Sequence, residues 1–478
     1  MSFWTLESLR AAAGGVWLAR GAGDAPPAMQ GVSIDSRTVR PGQVFIAIAG
    51  PNHDGHAFVE QAVKGGSPLV IVERPTARLP DSVAVLKVES ARQALVRLAS
   101  AYRRSMPRLK VVGVTGSCGK TTTVRLIHAV LSQKLRGSAP LKSFNNDIGL
   151  PLTLLGAQPS DQYVVCELGT NAPGEIEYLA RICQPDVGVI TMIGHSHLEK
   201  LGSIEGVAAE KASMLSHLAA SGLALLPSSA PMLSRYVPQD VLARSVWFGA
   251  EEEAELRASD VVSTERGVEF TINERVRFGV PLIGEHNAVN ATAAIGVGRR
   301  LGLDDEAIRQ GLLGVVPAEM RLGVQRLGAV TVLNDVYNAN TESMQAALRA
   351  LKAWHERGRR VAILGDMLEL GAQTTEQHSA LGQWIAHERP ADLVILVGDH
   401  VQHTRDQAAA SGSIEVLLLS DEEGVWDAIA GHLRPGDVVL VKASRSSRLE
   451  RAIAAIEQRF GANVVVAPLR QPTGTAGD

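Results

Sequence analysis

The segment TGSCGKTT at positions 115–122 sets two glycines, hydroxyl side chains and one lysine in an order suited to holding phosphate. It follows an apolar run, Val111-Val112-Gly113-Val114, and precedes a helical pattern. In that setting the glycines permit a tight turn, and successive N–H groups across Gly116, Ser117, Cys118, Gly119 and Thr122 can face phosphate oxygens at a helix N-terminus. Lys120 adds a point charge, and the Thr121 hydroxyl can reach Mg²⁺. The spacing misses G-x-x-x-x-G-K-[ST] by one residue, because Val114 stands where the first glycine belongs and Gly113 precedes it. No Asn-Lys-x-Asp sequence for guanine recognition occurs, which favours ATP.

Two further side chains could join that chemistry. Glu167 closes the apolar run Tyr163-Val164-Val165-Cys166, at the carboxyl edge where open α/β sheets hold ligands. A carboxylate there can hold Mg²⁺ beside the phosphates, although a helix-capping acid is the plain alternative. His197 follows a second apolar run that starts at Val187, and the convergence of two strand ends on one phosphate site favours a functional role for both residues. His195 competes for the histidine's role. Cys118 is either a thiol made reactive by the helix N-terminus or a small tolerated residue whose N–H does the binding, and the second reading is favoured.

Such residues need alternating strands and helices to position them. Residues 1–107 mix short apolar runs with turns and close on a helical pattern at 91–104, a small α/β domain, and Met106-Pro107-Arg108 marks its end. From 108 strands and helices alternate, with a helix expected over 205–218, antiparallel strands within 248–281 and a helix at 287–300. This predicts a doubly wound sheet. A third α/β series follows Arg321, with apolar runs at 361–364, 393–397 and 438–441. The tail 469–478 is expected to be disordered. At 478 residues the chain exceeds one core, and 45% hydrophobic with 20% charged residues fits ordinary globular domains. A net charge of -3 argues against a nucleic-acid partner. Three cysteines without a CxxC pair indicate neither a disulfide scaffold nor a zinc cluster, and a reducing cytoplasm fits. Neither a signal peptide nor a membrane-spanning run is expected.

Taken in order, T-G-x-x-G-K-T-T at 115–122, N-N-x-I-G-x-P-L-T-L-L at 145–155, E-L-G-x-N at 167–171 and H-L-E-x-x-G-S at 197–203 form a distinctive series. It continues with G-x-H-N-x-x-N at 284–290, N-D-x-Y-N-A-N at 334–340, L-G-D-M-L-E-L-G at 364–371 and V-L-V-K-x-S-R at 439–445. The series resembles the Mur ligases of peptidoglycan synthesis over nearly the whole chain. The segment at 145–155 and the last two motifs resemble most the branch that adds D-alanyl-D-alanine.

The resemblance implies three α/β domains, a central doubly wound P-loop ATPase-like sheet flanked by a small N-terminal domain and a Rossmann-like C-terminal one. Residues 1–107 would bind UDP-N-acetylmuramoyl-tripeptide through Asp35, Ser36 and Arg37, with Asp54-Gly55 in the following loop. Residues 108–321 would bind ATP, and 322–468 would close over it and help hold D-alanyl-D-alanine. Asn145 and Asn146 are implied substrate contacts, as are Lys442, Ser444 and Arg445. Asn287 and Asn290 would lie near the adenine, Arg321 on the phosphates, and Asp335 and Asn338 against the nucleotide, with Tyr337 packing. Lys211 falls where the family carries a carbamylated lysine, an oxygen ligand for a second Mg²⁺. Without the resemblance it reads as a surface lysine beside Glu210. Thr121, Glu167, His197 and carbamylated Lys211 are then the metal set, and Lys120, Glu167, His197, Lys211 and Arg321 the catalytic set. Cys118 and His195 depart from the family's usual residues. The implied reaction is ATP-driven amide formation through an acyl phosphate by a cytoplasmic monomer. Another ligase of the superfamily, adding the third peptide residue or polyglutamylating folate, or a nucleotide-switched binding protein, stays open. So does the third residue of the tripeptide, lysine or diaminopimelate.

Overall fold

The computed structural model describes residues 3–21, 28–75, 79–140, 143–354, 358–410, 412 and 414–462, so the expected disordered tail at 469–478 lies outside the described residues. Three sheets organise it. The first holds β1 (Val16–Arg20), β2 (Val32–Ser33), β3 (Val44–Ile46), β4 (Leu69–Val72) and β5 (Ala84–Lys87) in the order β1-β5-β4-β3-β2. Only β1 runs antiparallel to its neighbour. Beside it lies the helix Ala91–Ser105, started by the Ser90 hydroxyl, which accepts the Gln93 N–H at 3.2 Å. Its buried face, Ala91, Ala94, Leu95, Leu98, Ala99 and Tyr102, has the three-and-four spacing of one helical side. That face packs on the helices Gly149–Leu155 and Glu175–Cys183 of the next sheet.

The second sheet contains β6 (Lys110–Thr115), β7 (Gly137–Ser138), β8 (Tyr163–Glu167), β9 (Val187–Ile190), β10 (Leu223–Pro227), β11 (Val246–Gly249), β12 (Leu256–Thr264), β13 (Gly267–Ile272) and β14 (Val276–Val280). Its order is β14-β13-β12-β11-β10-β9-β6-β8-β7. Strands β7 to β12 pair in parallel, and β12-β13-β14 form the expected antiparallel extension. The connection from β6 goes out towards β7, whereas β9 lies on β6's other side, so the strand order reverses at β6. Open α/β sheets bind ligands at such a point.

The helix expected over 205–218 divides into Ile204–Ala212 and a 3₁₀ turn, Ser213–His217. The Ser213 hydroxyl donates to the Glu210 carbonyl at 2.6 Å, a local bond that competes with helix continuation.

The third sheet consists of β15 (Gly323–Leu327), β16 (Val330–Asp335), β17 (Arg360–Gly365), β18 (Leu393–Val397), β19 (Glu415–Leu419) and β20 (Val438–Lys442), in the order β15-β16-β20-β17-β18-β19. All neighbours but β15 and β16 are parallel. One buried apolar cluster runs from Trp4 through Cys166 and Met344 to Leu440, so the three units share packing at their seams.

Candidate active site

Strand register delivers the phosphate loop. β6 pairs Val114 with Glu167 on one side and Thr115 with Ile190 on the other, so the loop leaves the sheet level with both flanking strand ends. Gly116 and Gly119 have φ of 151° and 80°, and a Cβ on them would meet Thr191 Oγ1 at 1.9 Å and Asn290 Oδ1 at 2.5 Å. Only glycine fits either place. The helix Lys120–Leu131 begins directly after Gly119.

Lys120 Nζ donates to the Gly116 carbonyl at 2.7 Å, curled over its own loop. Burial, opposed by the Glu167 charge, lowers its pKa from the usual lysine value. Thr121 Oγ1 donates to Glu167 Oε2 at 2.9 Å, Asn145 Nδ2 donates to Glu167 Oε1 at 3.0 Å, and Glu167 is only 1% exposed. A buried carboxylate with a hydroxyl partner is a hard-oxygen donor set of the kind that takes a divalent cation. Asn146 spends its side-chain carbonyl on the N–H groups of Ile148 and Gly149, at 3.2 and 2.9 Å, and so holds the turn that carries Asn145.

His197 has φ 55° and turns its Nδ1 to the Glu369 carboxylate of the C-terminal unit. That hydrogen bond holds the Glu369 carboxyl below the usual range. A carboxylate on one ring nitrogen fixes the imidazole and leaves Nε2 to meet a cation. His195 takes the parallel role with another acid: its Nδ1 and backbone N–H lie 2.6 and 2.9 Å from Glu342 Oε1. Glu342 sits in the first turn of Thr341–Lys352, whose N-cap Asn340 exchanges hydrogen bonds of 3.0 Å with Ser343. The same Asn340 accepts the Cys118 thiol at 3.3 Å. Burial raises the Cys118 pKa, opposite to the disfavoured alternative in which the helix N-terminus makes the thiol reactive. This agrees with a small tolerated residue.

Lys211 is 1% exposed, which rules out the surface reading. Burial, reinforced by the Lys120 charge, brings its pKa down to about 7. Its neighbour Glu210 is engaged by the N–H groups of Gly174 and Ile176 at 2.7 and 2.8 Å.

Asn290 and Asn287 are buried and bonded at 3.1 Å, with Asn290 also accepting Thr123 Oγ1 at 3.4 Å. The Arg321 guanidinium lies 4.0 Å from the centre of the Tyr337 ring, so the tyrosine does pack, as a cation–π platform. Met320 and Leu322 on either side have φ of 56° and 54°, unfavourable for non-glycine residues, and Asp335 Oδ1 holds Leu322 by accepting its N–H at 3.1 Å. Cross-strand register pairs Asp335 with Lys442, and their side chains form an ion pair at 2.6 Å. Lys442 also donates to the Asn338 carbonyl at 2.8 Å. These two predicted ligand groups therefore meet each other. Ser444 Oγ accepts the Leu368 N–H at 2.9 Å, and Arg445 lies 3.4 Å from Glu450.

One cleft of about 2510 Å³ gathers most of these residues: the 117–120 loop, Asn145, Asn146, Glu167, His195, His197, Asn287, Asn290, Arg321, Asp335, Asn338, Lys442, Ser444 and Arg445. Gly116, Thr121 and Lys211 are not among its lining residues, and neither are Asp35, Ser36 and Arg37. Arg37 grips Asp35 through Nη2 at 2.7 Å and holds its carboxyl near 2, while Ser36 bonds Gln61 at 2.9 Å. Glu342 and Glu369, which tie the C-terminal unit to the two histidines, were not singled out from sequence. Their only signal was an acid inside or beside a recognisable motif.

Residues 28–103 match the Mur ligase family catalytic domain, 114–298 the Mur ligase middle domain and 320–445 the Mur ligase glutamate ligase domain. A UDP-N-acetylmuramoyl-tripeptide--D-alanyl-D-alanine ligase of Bacillus subtilis is 35% identical over 428 residues, 89% of this chain and 92% of that one. The chain belongs to the Mur ligase family. Among solved Mur ligases, the MurF ligase of Thermotoga maritima in complex with ADP superposes with a TM-score of 0.75 at 28% identity, over 90% of this chain and 98% of that one. The UDP-N-acetylmuramoylalanyl-D-glutamyl-2,6-diaminopimelate--D-alanyl-D-alanyl ligase of Acinetobacter baumannii reaches 0.78 at 30% identity, over 95% and 98%. The three-domain α/β expectation and the family resemblance are both borne out.

Proposed function

We propose that this Mur ligase joins D-alanyl-D-alanine to UDP-N-acetylmuramoyl-tripeptide at the expense of ATP, in the synthesis of the peptidoglycan precursor. The observation that carries the reading is the convergence of Lys120, Glu167 and Arg321, from three separate stretches of chain, on one cleft. The terminal carboxylate of the tripeptide attacks the γ-phosphate, giving an acyl phosphate and ADP. The amine of D-alanyl-D-alanine then adds to the acyl carbon, and the tetrahedral intermediate collapses with loss of phosphate. Phosphoryl transfer asks mainly for positioning and charge neutralisation. Lys120 and the loop N–H groups hold the phosphates, and Arg321, braced on Tyr337, answers the developing charge. Asn287 and Asn290 stand beside the loop for the adenine.

The oxygen donors of Thr121 and Glu167 suit magnesium. Thr121 and Glu167 would hold one ion, with His197 and a carbamylated Lys211 serving a second, and the metal would supply charge neutralisation between the phosphates and the incoming carboxylate. Lys211 is well placed for carbamylation, because a buried amine with a pKa of about 7 is neutral and nucleophilic in a substantial fraction of molecules near neutral pH. Asp35, Ser36 and Arg37 lie apart from the cleft, in keeping with a grip on the distant UDP end of an elongated substrate. We assign 1–107, 108–321 and 322–468 as the domains, the cytoplasm as the location and the monomer as the working unit. Among the described residues no helix is long and apolar enough to cross a membrane.

ADP release by the purified chain is the test, with UDP-N-acetylmuramoyl-tripeptide and either D-alanyl-D-alanine or single amino acids as acceptor. The dipeptide should stimulate ADP release and yield a pentapeptide product. Stimulation by a single amino acid alone, or ATP turnover indifferent to any amine, would replace this assignment with another ligase of the superfamily or with a nucleotide switch.

A further inference from the structure

Among the described residues, the cleft takes one residue from the part of the chain before β6: Arg92, in the first turn of Ala91–Ser105. Its guanidinium engages both carboxylate oxygens of Asp147. Asp147 follows Asn145 by two residues, and Asn145 is bonded to Glu167 at the phosphate site. The Arg92 and Asp147 side chains are 54% and 24% exposed, so the pair faces the cleft rather than the interior. Tyr178 lines the same wall, and both charges act on its hydroxyl.

If the chain is the ligase proposed above, geometry restricts what can meet this pair. The reacting carboxylate belongs to the third residue of the tripeptide, so its Cα must lie close to the γ-phosphate. Two residues of chain span at most about 7 Å, so Asp147 stands roughly one long side chain away from the groups around Glu167. The tripeptide must also pass from the N-terminal domain into the central one, and Arg92 and Asp147 bridge those two domains. The free end of a lysine side chain is an ammonium alone. That of diaminopimelate is an ammonium and a carboxylate on one carbon. Inserted between Arg92 and Asp147, a zwitterionic end gives each protein charge a new opposite partner. A lysine end meets Asp147 but adds a second cation beside Arg92, with no anion to compensate.

We propose that Arg92 and Asp147 read the side chain of the tripeptide's third residue and select diaminopimelate over lysine. Arg92 binds the side-chain carboxylate and Asp147 the ammonium, exchanging their mutual ion pair for two with the substrate.

The test compares kcat/KM for UDP-N-acetylmuramoyl-tripeptides ending in diaminopimelate and in lysine, at saturating ATP and D-alanyl-D-alanine. The full chain is set beside Arg92→Ala, Arg92→Glu and Asp147→Asn. The unaltered chain should prefer diaminopimelate. Arg92→Ala should lower the diaminopimelate-to-lysine ratio roughly tenfold or more, the size of one charge-assisted hydrogen bond, chiefly through KM. Arg92→Glu should turn the preference towards lysine, and Asp147→Asn should weaken both substrates. An unaltered chain without preference overturns the proposal, as does an equal loss for both tripeptides in Arg92→Ala, which is what a mere tie between domains would give. No ADP from the unaltered chain with either tripeptide would instead remove the ligase reading beneath it.

Discussion

Replacing Lys211 by methionine separates the cost of burying an amine from its use. The side chain is 1% exposed and its pKa is about 7, whereas an unfolded lysine titrates near 10.5. The unfolded chain therefore binds more protons than the folded one between those two values, and stability rises with pH across that window. Below pH 7 the full cost applies, about 5 kcal/mol for a shift of this size, and it fades as the pH approaches 10.5. Methionine has a similar unbranched length without the charge, so Lys211→Met should stabilise the protein by up to that amount near pH 6.5. The gain should shrink at pH 8 and again at pH 9.5. Denaturant midpoints in bicarbonate-free buffer at those three values measure the trend. The variant should at the same time lose ADP release, because a thioether can be neither carbamylated nor an oxygen ligand. A stability difference that does not vary with pH, or a variant less stable at pH 6.5, would refute the account of Lys211 as a destabilising buried amine kept for function.

Lys120→Ala should lower kcat roughly 10²- to 10³-fold while leaving the circular dichroism spectrum unchanged, since the ammonium bonds only to its own loop. Glu342→Ala removes the acceptor for both the backbone and the ring of His195, so ATP turnover at limiting nucleotide should fall about tenfold. An unchanged kcat/KM for ATP would show that this contact between domains is not needed for closure. Cys118→Ser should keep activity within about threefold, and iodoacetamide at pH 7.5 should label the native chain slowly, because desolvation raises the pKa of the half-buried Cys118 thiol that lines the cleft, and Cys166 and Cys183 are fully buried. Rapid labelling at Cys118 would contradict the burial argument.

Much of the site was legible because it is local. An apolar run that ends in Glu167, and another that ends before His197, announce strand ends, and parallel sheets bring strand ends together whatever else the chain does. The loop at 116–122 was readable for the same reason, its glycines, lysine and threonine being neighbours in sequence. What escaped depends on tertiary closure and on register. Glu342 and Glu369 matter because one unit folds back on another and presents acids to His195 and His197, a placement no periodicity encodes. The family resemblance marked Asp335 and Lys442 each as a ligand contact, but only the β16–β20 register shows that they face each other. Lys211 is the sharpest case. Beside a glutamate on a short helix it looks like a surface residue, and its burial comes from packing around the helix rather than from its own surroundings in sequence.

Glu167 divides its two oxygens between Thr121, on the nucleotide side, and Asn145, which carries the turn leading to Asp147. A ligand that draws the carboxylate towards the phosphates must alter the hold on that turn, and a ligand that shifts the turn must disturb the carboxylate in return. Binding linkage makes such an effect reciprocal. Potency of a compound lodged against the Asn145 turn would consequently depend on how much nucleotide is present, so a screen run on the empty enzyme and one run with ATP would rank the same compounds differently.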